Sequence, residues 1–263
     1  MTDDPVTLSR LHHGSIEVEG RLQGSSNAAL RVVCTDATGS VRAVYKPRRG
    51  ERPLWDFPRG SLGHREVAAA MVDRALGWGL VPATVWREDG PLGPGSMQAW
   101  VDADADLAPV DVLDIDQVPR GWLNVAEGEG SHGQHVCLVH ENSRELSRLA
   151  VLDLVINNAD RKGGHVVRGV SGRILGIDHG LTFHTEDKLR TVLWGWSGDP
   201  IDAETLDDLA RCSKSFDVLA EDLSPLLSRA EVSTTRQRLE HAREAAVFPE
   251  PERSWPALPW PAM

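Results

Sequence analysis

The chain has 263 residues, of which 41% are hydrophobic and 25% are charged, which is the balance of an ordinary globular protein. This length is enough to bury a sizeable core in one large domain or in two tightly joined lobes. A formal net charge of -11 argues against a nucleic-acid partner and against stable binding to anionic membranes, because both partners call for a basic face.

Two further features predict a cytoplasmic protein without an integral membrane segment. The N-terminal stretch MTDDPVTLSRLHHGSIEVEG lacks the basic and apolar regions of a signal peptide, and no run of about eighteen apolar residues offers a membrane span. The three cysteines, Cys34, Cys137 and Cys212, are far apart in the sequence and cannot all pair, which suits a reducing compartment.

The first hundred residues predict a small antiparallel sheet with one helix. Stretches of alternating or β-branched residues, separated by turns that contain Gly, Ser and Asp, are typical of strands. An apolar stripe at helical spacing predicts a helix over Leu62–Leu76. The strands are predicted at residues 15–19, 29–34, 41–45, 79–88 and 95–101.

Two segments beside these strands contain groups that suit phosphate binding. The connection GRLQGSSN contains Gly24, Ser25 and Ser26, whose backbone amides and hydroxyls could lie over phosphates, although such a turn by itself is more often a plain hairpin. The loop that follows the third strand contains four arginines, which either meet a phosphorylated substrate or nucleotide or form a solvated basic loop. Trp55 and Phe57 are expected to anchor this loop.

The middle of the chain offers less chemistry. The acidic residues 102–116 are predicted to form a solvated connection that leads into a helix. Four potential zinc ligands come next, namely His132, His135, Cys137 and His140. Their spacing matches no closed four-ligand pattern, and Val136 with Leu138 indicates alternation along a strand. Structural roles are therefore favoured over a metal site.

The stretch from Asp153 to Gly180 has the pattern of a site, because it places two carboxylates at the ends of two apolar segments. Apolar residues at helical spacing predict a helix that ends just before Asp160. A predicted β-hairpin follows, and Asp178 leaves its second strand. The hairpin can fold the two carboxylates close together, where they could share a divalent cation.

The C-terminal part of the chain predicts a helical region and an extended tail. Three or four helices are predicted, with starts at Asp202, Ser213 and Ser233. The tail PEPERSWPALPWPAM is rich in Pro and Trp, and Trp255 and Trp260 are expected to fasten it to the body of the protein. The alternative is a ligand for a proline-recognising domain.

The segments ADRKGGHVV and GIDHGLTF resemble the catalytic loop and the metal-binding loop of the phosphatidylinositol 3- and 4-kinase superfamily, in a bacterial form related to the HipA-type kinases. The resemblance covers most of the chain, because the sheet, the helix, a hinge and the two loops follow in the family's order. It implies an α+β, two-lobed, protein-kinase-like fold. The N-lobe, residues 1–101, would be a small antiparallel sheet with one helix, and the C-lobe, residues 102–263, would be mainly helical with a β-hairpin at the active site.

The resemblance also implies roles for individual residues. Asp160 would orient the attacking hydroxyl, Asp178 would hold magnesium, and the pair of Lys46 and Glu66 would position the nucleotide phosphates. Main-chain groups after the fifth strand would bind adenine, with Trp100 as a stacking surface or, equally, as a core residue. The implied nucleotide contacts are Gly24, Ser25, Ser26, Lys46, Gln98, Trp100 and Val101.

One position departs from the family pattern, since His165 stands where the family usually has Asn. Magnesium prefers hard oxygen ligands, so an imidazole is a poor copy of an amide oxygen. Either one metal site is weakened, or His165 contacts the nucleotide or binds Mn²⁺. Asn158 is the other candidate ligand beside Asp178.

The predicted function is that of a kinase that uses ATP and Mg²⁺ or Mn²⁺ to move the γ-phosphoryl group onto a hydroxyl of an unidentified protein, lipid or small-molecule acceptor. The stretch over residues 181–200 offers only Lys188 and Arg190 as basic residues, which argues against a phosphorylated lipid. Two alternatives share the fold: a nucleotide-binding pseudokinase that regulates a partner, and an enzyme that transfers AMP.

Overall fold

The computed structural model describes residues 4–23, 27–104, 107–251 and 256–263. In these ranges the chain forms two lobes around a cleft, with antiparallel sheets and mainly C-terminal helices. The strands are β1 (Ser15–Arg21), β2 (Leu30–Asp36), β3 (Gly39–Pro47), β4 (Thr84–Gly90), β5 (Gly93–Ala99), β6 (Val110–Asp114), β7 (Leu123–Glu129), β8 (His135–His140), β9 (Val166–Arg168) and β10 (Ile174–Gly176). The helices are α1 (Pro5–His13), α2 (Leu62–Leu76), α3 (Arg144–Ile156), α4 (Ala203–Lys214), α5 (Phe216–Leu223) and α6 (Arg229–Ala245).

The N-lobe is a five-stranded antiparallel sheet in the order β1-β2-β3-β5-β4, and its five predicted strands are confirmed. Because side chains alternate along a strand, Ala43 and Tyr45 face a small buried core while Lys46 points the other way, toward the cleft. Helix α1 was not predicted. Asp4 caps its N-terminus and Leu11 inserts into the sheet's core.

Helix α2 has the predicted bounds and ends at Gly77, whose φ of 79° lies in the left-handed region that favours glycine. Its apolar residues do not join the core of the sheet. Ala68, Val72 and Leu76 belong to the large core that the C-lobe helices build around Leu149. Helix α2 therefore packs between the two lobes.

Residues 102–116 do not lead into a helix, which corrects the prediction for this acidic segment. They contain β6, which pairs with β8 in a three-stranded sheet of order β6-β8-β7. The partner strand comes about 25 residues later in the sequence, so local composition does not reveal the pairing, although Val110 is fully buried. Strand β8 confirms the alternation predicted around Val136, and in the described residues no group of three or more His, Cys, Asp or Glu side chains could hold a metal.

The C-lobe helices follow the predicted region but not every predicted start. Helix α4 begins after Asp202, whose side chain accepts a hydrogen bond from the backbone N–H of Thr205. The start predicted at Ser233 is wrong, because the last helix begins after Ser228, which forms a capping box with Glu231. No helix within the described ranges is long and apolar enough to cross a membrane.

The tail lies on the C-lobe, but Trp260 does not fasten it, since 91% of its surface is exposed. Backbone carbonyls and the side chains of Leu258 and Ala262, which pack against the main core, make the attachment instead. Ala257 accepts from the backbone of Thr191, and Ala262 accepts from the backbone of Gly163 at 2.8 Å. Trp255, the other predicted anchor, lies outside the described residues.

Candidate active site

The two aspartates reach the cleft from opposite ends of the loop and hairpin that follow α3. The helix ends at Asn157, which adopts a left-handed conformation with φ 52°. The amide of Asn157 donates to the backbone carbonyls of His184 and Glu186, and its carbonyl oxygen accepts from the backbone of Lys188. Asparagine tolerates this conformation, so it ends the helix and holds the later loop. Asp160 follows three residues on.

A buried arginine ties the two loops together. The guanidinium of Arg161 is fully buried and bidentate to Asp153 at the end of α3, with contacts of 2.8 and 2.9 Å. It also donates to the carbonyl of Ile177 and to Nε2 of His179, at 2.8 and 2.7 Å. Arg161, which follows Asp160, thus holds Ile177 and His179, the two neighbours of Asp178.

These loops and the N-lobe enclose a cavity of about 500 Å³. Such a volume is typical of sites for small molecules and cofactors. The cavity is lined by Asn27, Lys46, Pro47, Glu51, Arg52, Pro53, Leu54, Leu62, Gly63, Glu66, Asp160, Lys162, His165, Asp178, Gly180 and Leu181. The structure therefore brings five of the predicted site residues to one cavity: Lys46, Glu66, Asp160, His165 and Asp178.

Lys46 lies between two carboxylates in this cavity. Its Nζ forms an ion pair with Glu66 and contacts Oδ1 of Asp178 at 2.9 Å. The second oxygen of Glu66 accepts from the backbone of His179 at 3.1 Å. Burial alone would lower the pKa of Lys46, but the two carboxylates outweigh burial and raise it. The ammonium holds the pKa of Asp178 well below its usual range. Burial raises the pKa of Glu66, so one ammonium faces two carboxyl groups of different acidity.

Asp160 lies beside a second cation and an imidazole. Burial raises the pKa of Asp160, while Lys162, whose Nζ is 3.4 Å from its carboxylate, and His165 oppose that rise. The carbonyl of Asp160 is 3.1 Å from Nδ1 of His165, and because a carbonyl only accepts, Nδ1 must carry the proton. Burial lowers the pKa of His165, and its Nε2 lies 3.4 Å from Oδ2 of Asp178.

Several predicted site residues are not brought to the cavity. Asn158 is fully buried, its amide donates to Asp153, and its carbonyl oxygen accepts from the backbone of Asp160, so its side chain supports the loop. Gln98 is buried and donates to Thr84. Trp100 and Val101, like Gln98, are not among the lining residues. The nucleotide contacts predicted at Gly24, Ser25 and Ser26 lie outside the described residues.

Of the charged lining residues, Lys162 and Glu51 were missed from the sequence. Lys162 was detectable, because it stands two residues after Asp160 in the same loop. Glu51 had no clear signal, since only the folding of its loop carries it to the cavity, whereas Arg52 is one of the four arginines that the sequence offered as possible phosphate contacts. One oxygen of Glu51 accepts from the backbone of Gly63 at the start of α2, and the other is buried without a partner in the described residues.

Comparison with other proteins places the chain in a family. No family model matches it. It is 43% identical over 262 residues to protein Rv2133c of Mycobacterium tuberculosis, and the match covers 96% of this chain and 94% of that protein. The chain therefore belongs to the same family as that protein.

Two solved structures are also similar. One is hydra Fam20 with sugar, with 14% identity, a TM-score of 0.49, and 93% of this chain and 89% of that chain covered. The other is the Helicobacter pylori proinflammatory kinase CtkA, with 10% identity, a TM-score of 0.47, and 90% of this chain and 94% of that chain covered.

Proposed function

We propose that this member of the Rv2133c family is an ATP-dependent phosphotransferase that moves the γ-phosphoryl group of ATP onto an acceptor hydroxyl. One observation carries the proposal. Lys46 pairs with Glu66, 20 residues away, and with Asp178, 132 residues away, in the same cavity as Asp160. Separate segments are thus folded together around the groups that phosphoryl transfer requires.

The proposed roles follow from the contacts. Lys46 binds phosphate oxygens, and Glu66 fixes the direction of its ammonium. Asp160 orients the acceptor hydroxyl and takes up its proton, a task that its raised pKa favours. Lys162 lies next to Asp160 and neutralises charge on the transferred group. Most of the rate enhancement would come from positioning and charge neutralisation.

Two side chains, Asp178 and His165, would hold a divalent cation here, with the remaining positions left to phosphate oxygens and water. Asp178 offers a carboxylate oxygen, and His165 offers the lone pair of Nε2, 3.4 Å from that carboxylate. A site with one oxygen and one imidazole nitrogen suits Mn²⁺ and related transition metals better than it suits Mg²⁺, which prefers oxygen ligands only. When bound, the metal would neutralise phosphate charge. Lys46 contacts the same carboxylate, so Asp178 would have to hold both the ammonium of Lys46 and the metal ion.

The proposal includes the finer features that the sequence resemblance implies. These are kinship with the phosphatidylinositol 3- and 4-kinases and the HipA-type kinases, a division between the lobes at residues 101 and 102, and a cytoplasmic location. Gly24–Ser26 keep their proposed role at the phosphates, and Gln98–Val101, which do not line the cavity, keep only a proposed main-chain role at the adenine.

The test is ATP binding and turnover with Mg²⁺ and with Mn²⁺ in the wild type and two variants. Asp160→Asn is expected to bind ATP as the wild type does and to lose transfer by about 10²- to 10⁴-fold, because it removes only the proton acceptor. Asp178→Asn is expected to lose metal-dependent nucleotide binding. Asp222→Asn, on the exposed side of α5, is the matched control.

Mass spectrometry of the modified product separates phosphoryl transfer from AMP transfer. ATP binding without any transfer, unaffected by Asp160→Asn, would identify a pseudokinase instead. Absence of ATP binding with either metal would rule out all three functions.

A further inference from the structure

The loop after β3 contains a cluster of exposed arginines. Several exposed arginines elsewhere pair with carboxylates, as Arg31 does with Glu19 and Arg42 does with Asp102. Within the described parts of the chain, no ion pair involves the arginines of this loop. They are Arg48, Arg49, Arg52 and Arg59, and all four are exposed. The chain has more acidic than basic residues and a net charge of -11, so its composition does not account for four arginines in one short loop.

Two apolar side chains complete this surface. Trp55 is 90% exposed and Leu54 is 37% exposed, although the sequence predicted that Trp55 would anchor the loop. Phe57, the other predicted anchor, does hold the loop, and it is buried against Arg65 and His184. We call Arg48, Arg52 and Arg59, together with Leu54 and Trp55, the basic platform.

The basic platform lies at the mouth of the candidate active site. Arg52 and Leu54 line the main cavity together with Asp160. Arg48, Arg52 and Arg59 also line an adjoining recess of about 130 Å³. A ligand that enters the main cavity past Arg52 therefore meets the other arginines just outside it.

The platform is also fixed to the segment that follows Asp178. The Nζ of Lys188 contacts Asp56 at 2.8 Å and lies 4.9 Å from the ring centre of Trp55. Nε2 of His184 is 3.1 Å from the carbonyl of Asp56 and donates to it. The loop of the N-lobe is thus held against the C-lobe on the side where Asp160 would receive an acceptor.

We propose that the basic platform docks an acidic segment of a protein that carries the acceptor hydroxyl. This inference rests on the proposed function, because it names that function's acceptor. Unpaired guanidinium groups complement carboxylates, and exposed Trp and Arg are the residues that dominate protein interfaces. The arginines extend beyond the cavity, farther than a small metabolite inside it would reach. A short acidic segment meets only this local cluster, whereas a nucleic-acid duplex or an anionic membrane would also face the acidic remainder of the chain.

The test uses the full-length chain and two pools of fluorescein-labelled 12-residue peptides with a central Ser. One pool fills the remaining positions with Asp, Glu, Leu and Ala, and the other replaces the acids by Lys and Arg. Fluorescence anisotropy is expected to show at least about tenfold tighter binding of the acidic pool. Arg48→Ala with Arg59→Ala, and separately Trp55→Ala, should each weaken that binding by about tenfold or more. Arg120→Ala with Arg229→Ala removes the same charge from other exposed positions and should change it less than about twofold.

Three results would overturn the inference. These are equal affinity for the two pools, an equal loss in the control double variant, and stronger binding to vesicles that contain phosphatidylserine than to the acidic pool. ATP binding is measured on the same samples and is expected to be unchanged by Arg48→Ala with Arg59→Ala, since neither arginine lines the main cavity. If the platform binds the acidic pool and ATP does not bind, the kinase proposal fails while the docking surface stands. If ATP binds and the pools are not distinguished, only the docking inference fails.

Discussion

One carboxylate oxygen of Asp178 contacts the ammonium of Lys46, and the other lies near the imidazole of His165. Lys46 is 2.9 Å from Oδ1, and Nε2 of His165 is 3.4 Å from Oδ2. A carboxylate oxygen and an imidazole nitrogen this close together could hold the same ion, because both are ordinary metal ligands. The identity of residue 165 should then set the metal preference of the site.

His165→Asn is expected to shift that preference toward magnesium. The amide supplies a hard oxygen in place of the imidazole, so the ratio of Mn²⁺ to Mg²⁺ affinity should fall by about tenfold or more. Electron paramagnetic resonance of Mn²⁺, with Mg²⁺ as competitor and ATP present, measures this ratio without reference to turnover. His132→Asn, in an exposed loop, is the control. An unchanged ratio would remove His165 from the metal site.

A second histidine predicts how stability depends on pH. His140 is fully buried, donates from Nδ1 to the carbonyl of Glu141 and accepts at Nε2 from the backbone of Gly195. Burial lowers its pKa to about 4. The unfolded chain, with an imidazole pKa near 6.5, binds this proton first, so stability is full above about pH 6.5 and is lost as the pH falls toward about 4.

The expected loss from His140 is about 3 kcal/mol over that interval. Urea unfolding at pH 7 and at pH 5 should show a smaller pH effect in His140→Gln than in the wild type, whatever the absolute stability of the variant. His132→Gln should keep the wild-type effect. An identical pH effect in all three proteins would mean that other groups dominate acid unfolding.

The sequence predicted the central residues of the site because their order along the chain carries the information. Lys46, Glu66, Asp160 and Asp178 all line the cavity. Asn158 shows the limit of such reasoning. Its side chain forms hydrogen bonds with Asp153 and with the backbone of Asp160. Which buried polar groups need such partners is decided by the folded loop and cannot be read from the sequence.

At the level of elements, helix α2 is held from both lobes. Glu66 pairs with Lys46 on the sheet, while Arg65 forms a buried ion pair with Glu231 of α6 and donates to the carbonyl of Thr182. The sequence predicted the bounds of α2 from its apolar stripe. It did not predict the buried contacts of Arg65, because a charged residue in a helix is expected to be solvent-exposed unless its distant partner is known.

Arg65→Ala is expected to lower the free energy of unfolding by about 3–5 kcal/mol, because it leaves Glu231 buried without its cation. Urea unfolding measures the change. Arg243→Ala removes an exposed pair with Glu240 and Glu244 on the same helix as Glu231 and should cost about 0–1 kcal/mol. Equal small effects of the two substitutions would mean that α2 is held by apolar packing alone.

The three-stranded sheet shows why some elements could not be predicted. Its edge strand β6 has an acidic sequence, and only Val110 at its start is fully buried. The strand forms because β8 supplies a hydrogen-bonding partner from later in the chain, which a reading of local patterns does not detect.

For the whole molecule, the lobes and the cores do not divide at the same place. The sheet of the N-lobe has its own small core around Val32 and Met97. The larger core joins Leu76 and Leu80, which precede the proposed boundary, with Leu152 and Leu209, which follow it. The cleft therefore separates two lobes that share one main core.

This shared core predicts that neither lobe folds without the other. A fragment of residues 1–101 would expose the apolar face of α2 that Leu149 and its neighbours cover in the whole chain, and it would keep only the small core of the sheet. It should show no cooperative urea transition by circular dichroism. The intact chain should unfold in one transition, at the same urea concentration whether followed by circular dichroism or by tryptophan fluorescence. Residues 102–263 form the matched fragment and should also fail to fold, since they lack α2. A cooperative transition in residues 1–101 alone would show that the sheet and α2 form an independent domain and that the contacts of α2 with the C-lobe contribute little to its stability.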